Sequence, residues 1–135
     1  MENPLPIEIK ARIGSAEGNY RGLINTLSAM HRFCLSRSEK CARAFEMNKR
    51  AMGFHTEMQI LNRLIEELFA CEGVRSDRYS MHTLLPTHRV EVLRFQATED
   101  SIPFVSEQLD KINTQLVRLI TLAYGIYMQT LERTQ

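Results

Sequence analysis

Apolar positions recur at helical spacing along most of the chain. Leu23, Leu27, Met30 and Cys34 follow one another at four, three and four residues, the stripe that an amphipathic helix turns toward a core. Ser36 or Ser38 then offers an N-cap, and Ser36-Arg37-Ser38-Glu39 fits the reciprocal capping box. A second periodic run reaches Glu72 and stops at Gly73, a residue type that ends helices because it enters the left-handed region at little cost. At about 35 residues this run is long for a globular helix, and its apolar phase changes partway. Cys41, Phe45, Asn48, Met52 and His55 share one seven-residue repeat, whereas Phe54, Met58, Leu61, Ile65 and Leu68 share another. At 100° per residue the two stripes lie well apart around the axis, and the switch falls at Met52-Gly53-Phe54, where glycine is the weakest helix former of the run. A helix kinked or broken near Gly53 follows from this.

The C-terminal pattern is the clearest. Ser101 is placed to cap, Pro103 is tolerated in a first turn, and Val105, Leu109, Ile112, Leu116, Leu119, Ala123 and Ile126 then alternate in steps of four and three. This is a heptad seam. With Leu109 at position a, the g positions are Gln108, Gln115, Leu122 and Gln129, and the e positions include Asn113, Ile120 and Tyr127. An isolated two-stranded coil would carry charges there. Uncharged and partly apolar flanks widen the stripe to that of a bundle helix.

Two stretches read less simply. Residues 73–88 are polar and turn-like and are expected as a loop. Beyond them, Val90, Val92 and Arg94 alternate as in a strand that could pair with Tyr79–His82, while Val90, Leu93 and Ala97 equally suit a short helix capped by Thr87; the short helix is the expectation. Near the N-terminus, Gly14, Gly18 and Gly22 are spaced by four. On a helix they would form one smooth column, but each costs about 1 kcal/mol there, so an irregular arm over residues 1–18 and a loop leading to the Leu23 helix are expected. The fold class is all-α, a compact bundle of four to five helices in one helical domain spanning residues 1–135.

Composition narrows the class of object. The chain has 135 residues, 44% hydrophobic and 24% charged, as folded globular chains do. Met1 to Pro6 lacks the basic start and apolar run of a secretory signal, and the longest nearly apolar stretch, Leu116 to Met128, contains Arg118 and is short of the roughly 20 residues a membrane span needs. Three cysteines, Cys34, Cys41 and Cys71, are an odd number that fits reduced thiols in a cytoplasmic protein better than a disulfide framework.

Candidate chemistry is sparse. His31, Cys34, Cys41 and His55 contain no Cys-x-x-Cys knuckle, so neither a metal nor a cofactor is expected. Glu66-Glu67 and Glu99-Asp100 are sequence neighbours that diverge on a helix, unlike the facing pairs of acid/base catalysis, and Ser80 and His82 lack a nucleophile-elbow context. No enzyme activity, small-molecule substrate or membrane contact is expected.

Charge placement says more than the net charge of +1. Residues 37–53 hold five basic and two acidic residues, residues 54–72 one basic and four acidic. Arg37, Lys40, Arg43, Lys49 and Arg50 form a basic stripe that could follow a phosphate backbone or meet an acidic partner. Met52, Phe54 and Met58 on the central helix, with Leu122, Ile126 and Tyr127 on the last, are the candidate protein interface. The leading expectation is a non-enzymatic interaction module, an adaptor, chaperone or inhibitor that binds another protein and self-associates as a homodimer; the alternative is a small nucleic-acid-binding accessory subunit using the stripe.

Overall fold

The computed structural model describes residues 5–76, 79–82 and 89–135. Four helices carry the architecture: α1 (Ile7–Arg37), α2 (Glu39–Ala51), α3 (Phe54–Ala70) and α4 (Ile102–Arg133). They pack as an all-α bundle around α4, whose seam residues Val105, Leu109, Ile112, Leu116, Leu119, Ala123 and Ile126 are all buried. Cross-helix bonds fix the directions. Arg12 pairs with Asp110 at 2.9 Å, Asn19 bonds Asn113, and the Phe33 ring meets Tyr127, so α1 and α4 run parallel. Asn48 bonds Thr130, and Gln115 and Gln108 reach Glu57 and Glu67, so α2 and α3 run back along α4 in succession.

One residue separates α1 from α2. Ser38 is extended at φ −174°, ψ 156°, and its hydroxyl oxygen accepts from the Cys41 backbone N–H at 3.0 Å, filling a donor that the first turn of α2 leaves open. Between α2 and α3, Gly53 has φ 80° and ψ 16°, a left-handed conformation that costs a side-chain-bearing residue about 1–2 kcal/mol. The chain turns there, so α2 buries Cys41, Ala42 and Phe45 while α3 buries Phe54, Leu61, Ile65 and Leu68.

Buried glutamines on α4 set the register against α3. Gln108 donates to the Leu64 carbonyl at 2.9 Å and to Glu67 at 3.0 Å. One heptad on, Gln115 donates to the Glu57 carbonyl at 2.9 Å and to its carboxylate at 2.6 Å. Buried amides left without such partners would each cost about 1–3 kcal/mol, so a slip of one turn is heavily disfavoured.

The segment between α3 and α4 departs from the sequence expectation. It forms strands rather than a loop and a short helix: β1 (Val74–Ser76), β2 (Tyr79–His82), β3 (Arg89–Val92) and β4 (Phe95–Ala97). β1 pairs antiparallel with β4 and β2 with β3 in one register, Ser76 opposite Phe95 and Tyr79 opposite Val92, three residues further on each strand. The two ladders continue a single register, the pairing pattern of a hairpin. Leu93 and Phe95 are buried while Arg94 and Gln96 are exposed, a period of two that a helix burying Val90, Leu93 and Ala97 on one face cannot produce. Thr87, the cap expected for that helix, lies outside the described residues. β3 lies against α1 and β1 against α3.

Three further expectations change. Residues 7–37 are one helix, not an arm and a loop, because the Ile9, Ala16, Leu23, Leu27, Met30 and Cys34 stripe is buried along its length and outweighs the three glycine penalties. α3 ends at Ala70, and Gly73, at φ 89°, serves the turn into β1; a Cβ there would stand 2.5 Å from Thr98 Oγ1. Ser101 makes no cap bond to α4 and instead donates to the Thr98 carbonyl at 2.8 Å within the 3-10 turn Glu99–Ser101.

Candidate functional site

α4 packs α1 on one side and α2 with α3 on another, which leaves a third side open. On that side Val117 is 54% exposed, Tyr124 52% and Met128 53%. Successive steps of seven and four place the three on one face of the helix. Half-buried Ile120 and Leu131 stand between this row and α1 and pack on the core. Beside them α1 contributes Phe33, 48% exposed, whose ring meets Tyr127 edge-on at 6.1 Å.

The α1 part of this face is smooth. Gly18 and Gly22 lie on its outer surface with nothing within 4 Å of where a Cβ would be, so neither glycine is required by packing inside the chain. Thr26 and Ala29 continue the same side of the helix toward Phe33. No Lys, Arg, Asp or Glu occurs among these positions or among Asn113, Val117, Ile120, Tyr124 and Met128 of α4. Charges mark the border: Asp110 is bound by Arg12, and Arg118 approaches Glu57 at 3.8 Å.

Across α4 from Phe33, the face runs into a cleft of about 580 Å³ at the α2–α3 break, lined by Met52, Gly53, Thr56, Glu57, Arg118, Thr121 and Leu122. Thr121 belongs to both.

The six interface candidates are divided by the structure. Met52 and Leu122 come together in this cleft. Phe54 is 3% exposed and Ile126 fully buried, so both are core residues rather than contact residues. Met58 is half-buried against the core of α3. Tyr127 sits between the rings of Phe33 and Phe45, edge-on to each, and burial holds its phenol above the ordinary value.

Of the five basic candidates, Arg37, Lys40, Arg43 and Arg50 are exposed. Lys49 is not part of the stripe. Its ammonium bonds Glu46 at 3.1 Å and stands 5.2 Å from the Phe45 ring centroid and 5.9 Å from that of Phe54, with its side chain only 14% exposed. The aromatic edge of the α2–α3 corner has drawn the cation inward, as desolvated cation–π pairs do. Glu39 and Glu46 are exposed on the same helix and dilute the positive face further.

Among the described residues no group of three or more His, Cys, Asp or Glu could hold a metal ion. Cys34 and Cys41 are buried and free, and face each other across the α1–α2 corner. Burial first, then the Cys41 side chain and its charge, push the Cys34 thiol up to about 12, the opposite of an activated nucleophile.

Among the described residues no helix is long and apolar enough to cross a membrane. No protein-family model, curated protein or solved structure matches the chain.

Proposed function

We propose that this chain is a non-enzymatic protein-interaction module that docks a partner through the uncharged outer face of α1 and α4. The observation carrying the reading is the exposure of Val117, Tyr124 and Met128 in one row on α4. Single exposed apolar residues are ordinary, but a contiguous row flanked by Phe33 and bare glycines is the composition of a contact surface. Adaptor, chaperone and inhibitor roles all operate through such a face. The reading places the protein in the cytoplasm and assigns it no cofactor and no small-molecule substrate.

The test is site-specific photo-crosslinking in the cell that makes the protein. A photoreactive residue at Val117 is expected to give discrete protein adducts, while the same residue at Arg43 on α2 gives none. Equal labelling from both positions refutes the reading.

A second reading has one supporting observation, the four exposed cations Arg37, Lys40, Arg43 and Arg50 on neighbouring turns. Phosphate-backbone contact through them would weaken steeply with salt, and an Arg43→Glu/Arg50→Glu variant would abolish it. The loss of Lys49 to Glu46 makes this the weaker of the two.

A further inference from the structure

We infer that the occupant of the α1/α4 face is a second copy of this chain, paired about a two-fold axis. The inference rests on the protein-binding reading of that face and names its partner. In a two-fold pairing each surface meets itself. A face of one charge sign would repel its own copy, whereas Asn113, Val117, Ile120, Tyr124 and Met128 on α4 and Gly18, Gly22, Thr26, Ala29 and Phe33 on α1 carry no charge, and Asp110 and Arg118 at the α4 border are of opposite sign.

The same face holds both halves of a fitted contact. Val117, Tyr124 and Met128 project from it, and Gly18 and Gly22 leave bare backbone, with nothing within 4 Å of either Cβ position. The Asn19–Asn113 bond sets the two helices in register. Gly22 is three residues beyond Asn19 and Val117 four beyond Asn113, so bare backbone and projection stand at neighbouring levels. Glycine on a helix surface lets a second backbone approach closely, the role it has where helices pack tightly.

The area suffices for a modest dimer. From Asn113 to Leu131 the face is about 27 Å long at 1.5 Å per residue, and two helices side by side are about 20 Å wide. Counting both copies and the relief of the side chains, pairing removes on the order of 1,200 Å² from water, the lower edge of specific interfaces. A dissociation constant in the micromolar range, on the order of −8 kcal/mol, is the expectation for such a surface.

The experiment is sedimentation velocity on the full chain from about 1 to 200 µM, spanning the expected range. The mass should rise from 15.7 kDa to twice that value with concentration. Val117→Glu/Tyr124→Glu should stay monomeric throughout with an unchanged helical circular-dichroism spectrum, since both side chains are half-exposed. Gly22→Leu is the second variant: its Cβ meets nothing within 4 Å in the monomer and leucine is the better helix former, so the helical spectrum should be kept, while the added side chain covers the bare backbone and should weaken pairing at least tenfold. A wild-type chain monomeric at the highest concentration overturns the inference, as does a dimer that both variants leave intact. If the wild type is monomeric while Val117 crosslinks another protein in the cell, the second-copy inference falls and the protein-binding reading stands; with no crosslinks either, both fall.

Discussion

Replacing Gly14, Gly18 and Gly22 together by alanine should stabilise the fold. All three lie inside α1, and a Cβ added at any of them meets nothing within 4 Å, so the gain has no packing penalty to offset it. Glycine is about 0.8–1.0 kcal/mol less favourable than alanine at an interior helix position, which makes the sum about 2.5–3 kcal/mol. An unfolding entropy of about 2.1 cal/mol/K per residue gives the chain roughly 0.28 kcal/mol per degree, so the triple variant should melt about 9–11 °C higher. The measurement is urea and thermal unfolding followed at 222 nm, repeated at several protein concentrations so that any contribution from pairing appears as a concentration dependence. Single variants should each contribute about a third, because the helix-propensity gain is intrinsic to each position and no Cβ meets a neighbour within 4 Å. A loop at residues 14–22 would behave otherwise, its glycines being neutral or harmful to replace. If the triple variant is no more stable than the parent at low concentration, the continuous helix over residues 7–37 is wrong.

Gly73→Ala should do the reverse, losing about 2–4 kcal/mol in urea unfolding, because alanine at φ 89° is strained and its Cβ would stand 2.5 Å from Thr98 Oγ1; adding Thr98→Ala should recover only the steric part, and full recovery would show that the backbone conformation is not the constraint. Ser28→Ala should stabilise by about 1 kcal/mol, since the Ser28 hydroxyl is buried without a hydrogen-bond partner among the described residues and its desolvation is uncompensated; a loss of stability would show that the hydroxyl has a partner. With a thiol reagent at pH 8, Cys71 should react in the native protein and Cys34 and Cys41 only on unfolding, as their burial dictates. The Cys34 thiol, at about 12 when folded against an ordinary value of 9.0, contributes stability that is complete below pH 9 and lost as pH rises toward 12, because only the unfolded chain releases the proton in that window; Cys34→Ala should flatten this alkaline limb, and an unchanged limb would exclude Cys34 as its source.

The helical part of the fold was legible because burial and periodicity coincide in it. The seam from Val105 to Ile126 is the row of side chains the core encloses, so counting steps of three and four is equivalent to finding the core. The hairpin reads wrongly for a physical reason. Val90, Leu93 and Ala97 satisfy helical spacing by chance, and the evidence against a helix lies in long-range pairing with residues 74–82, which local periodicity does not contain. The N-terminal glycines fail in the opposite direction, since local propensity speaks for a loop and tertiary burial of Ile9, Ala16 and Leu23 overrides it. Lys49 could not have been excluded from the basic stripe without knowing that two helices meet at Gly53 and present Phe45 and Phe54 to it. The candidate face does leave a signal in the heptad frame, outside the seam and its e and g flanks. With Leu109 at a, Val117 and Tyr124 are b positions and Met128 an f position, places that a solvated helix fills with charge.

Three rods of about thirty residues fill this bundle: α1, the pair α2 and α3, and α4. Three rods packed together cannot enclose any one of them, so each keeps an open side, and an open side alone says nothing about binding. What that side carries does. α1 turns Arg32 outward beside Phe33 and Leu35, α2 turns Lys40, Arg43 and Arg50 beside Met47, and α3 turns Arg63 and Glu66 beside Ile60. α4 turns Val117, Tyr124 and Met128. The break at Gly53 contributes to this, because it lets α2 follow the C-terminal half of α4 and α3 the N-terminal half without either wrapping onto its outer face. A continuous helix with two apolar stripes would have had to twist across α4 to bury both. The chain thus covers two sides of α4, leaves Val117, Tyr124 and Met128 on the third between Asp110 and Arg118, and keeps bare glycines beside them at about 1 kcal/mol each. Stability within one chain explains neither choice. Both are explained if the third side is covered by another chain.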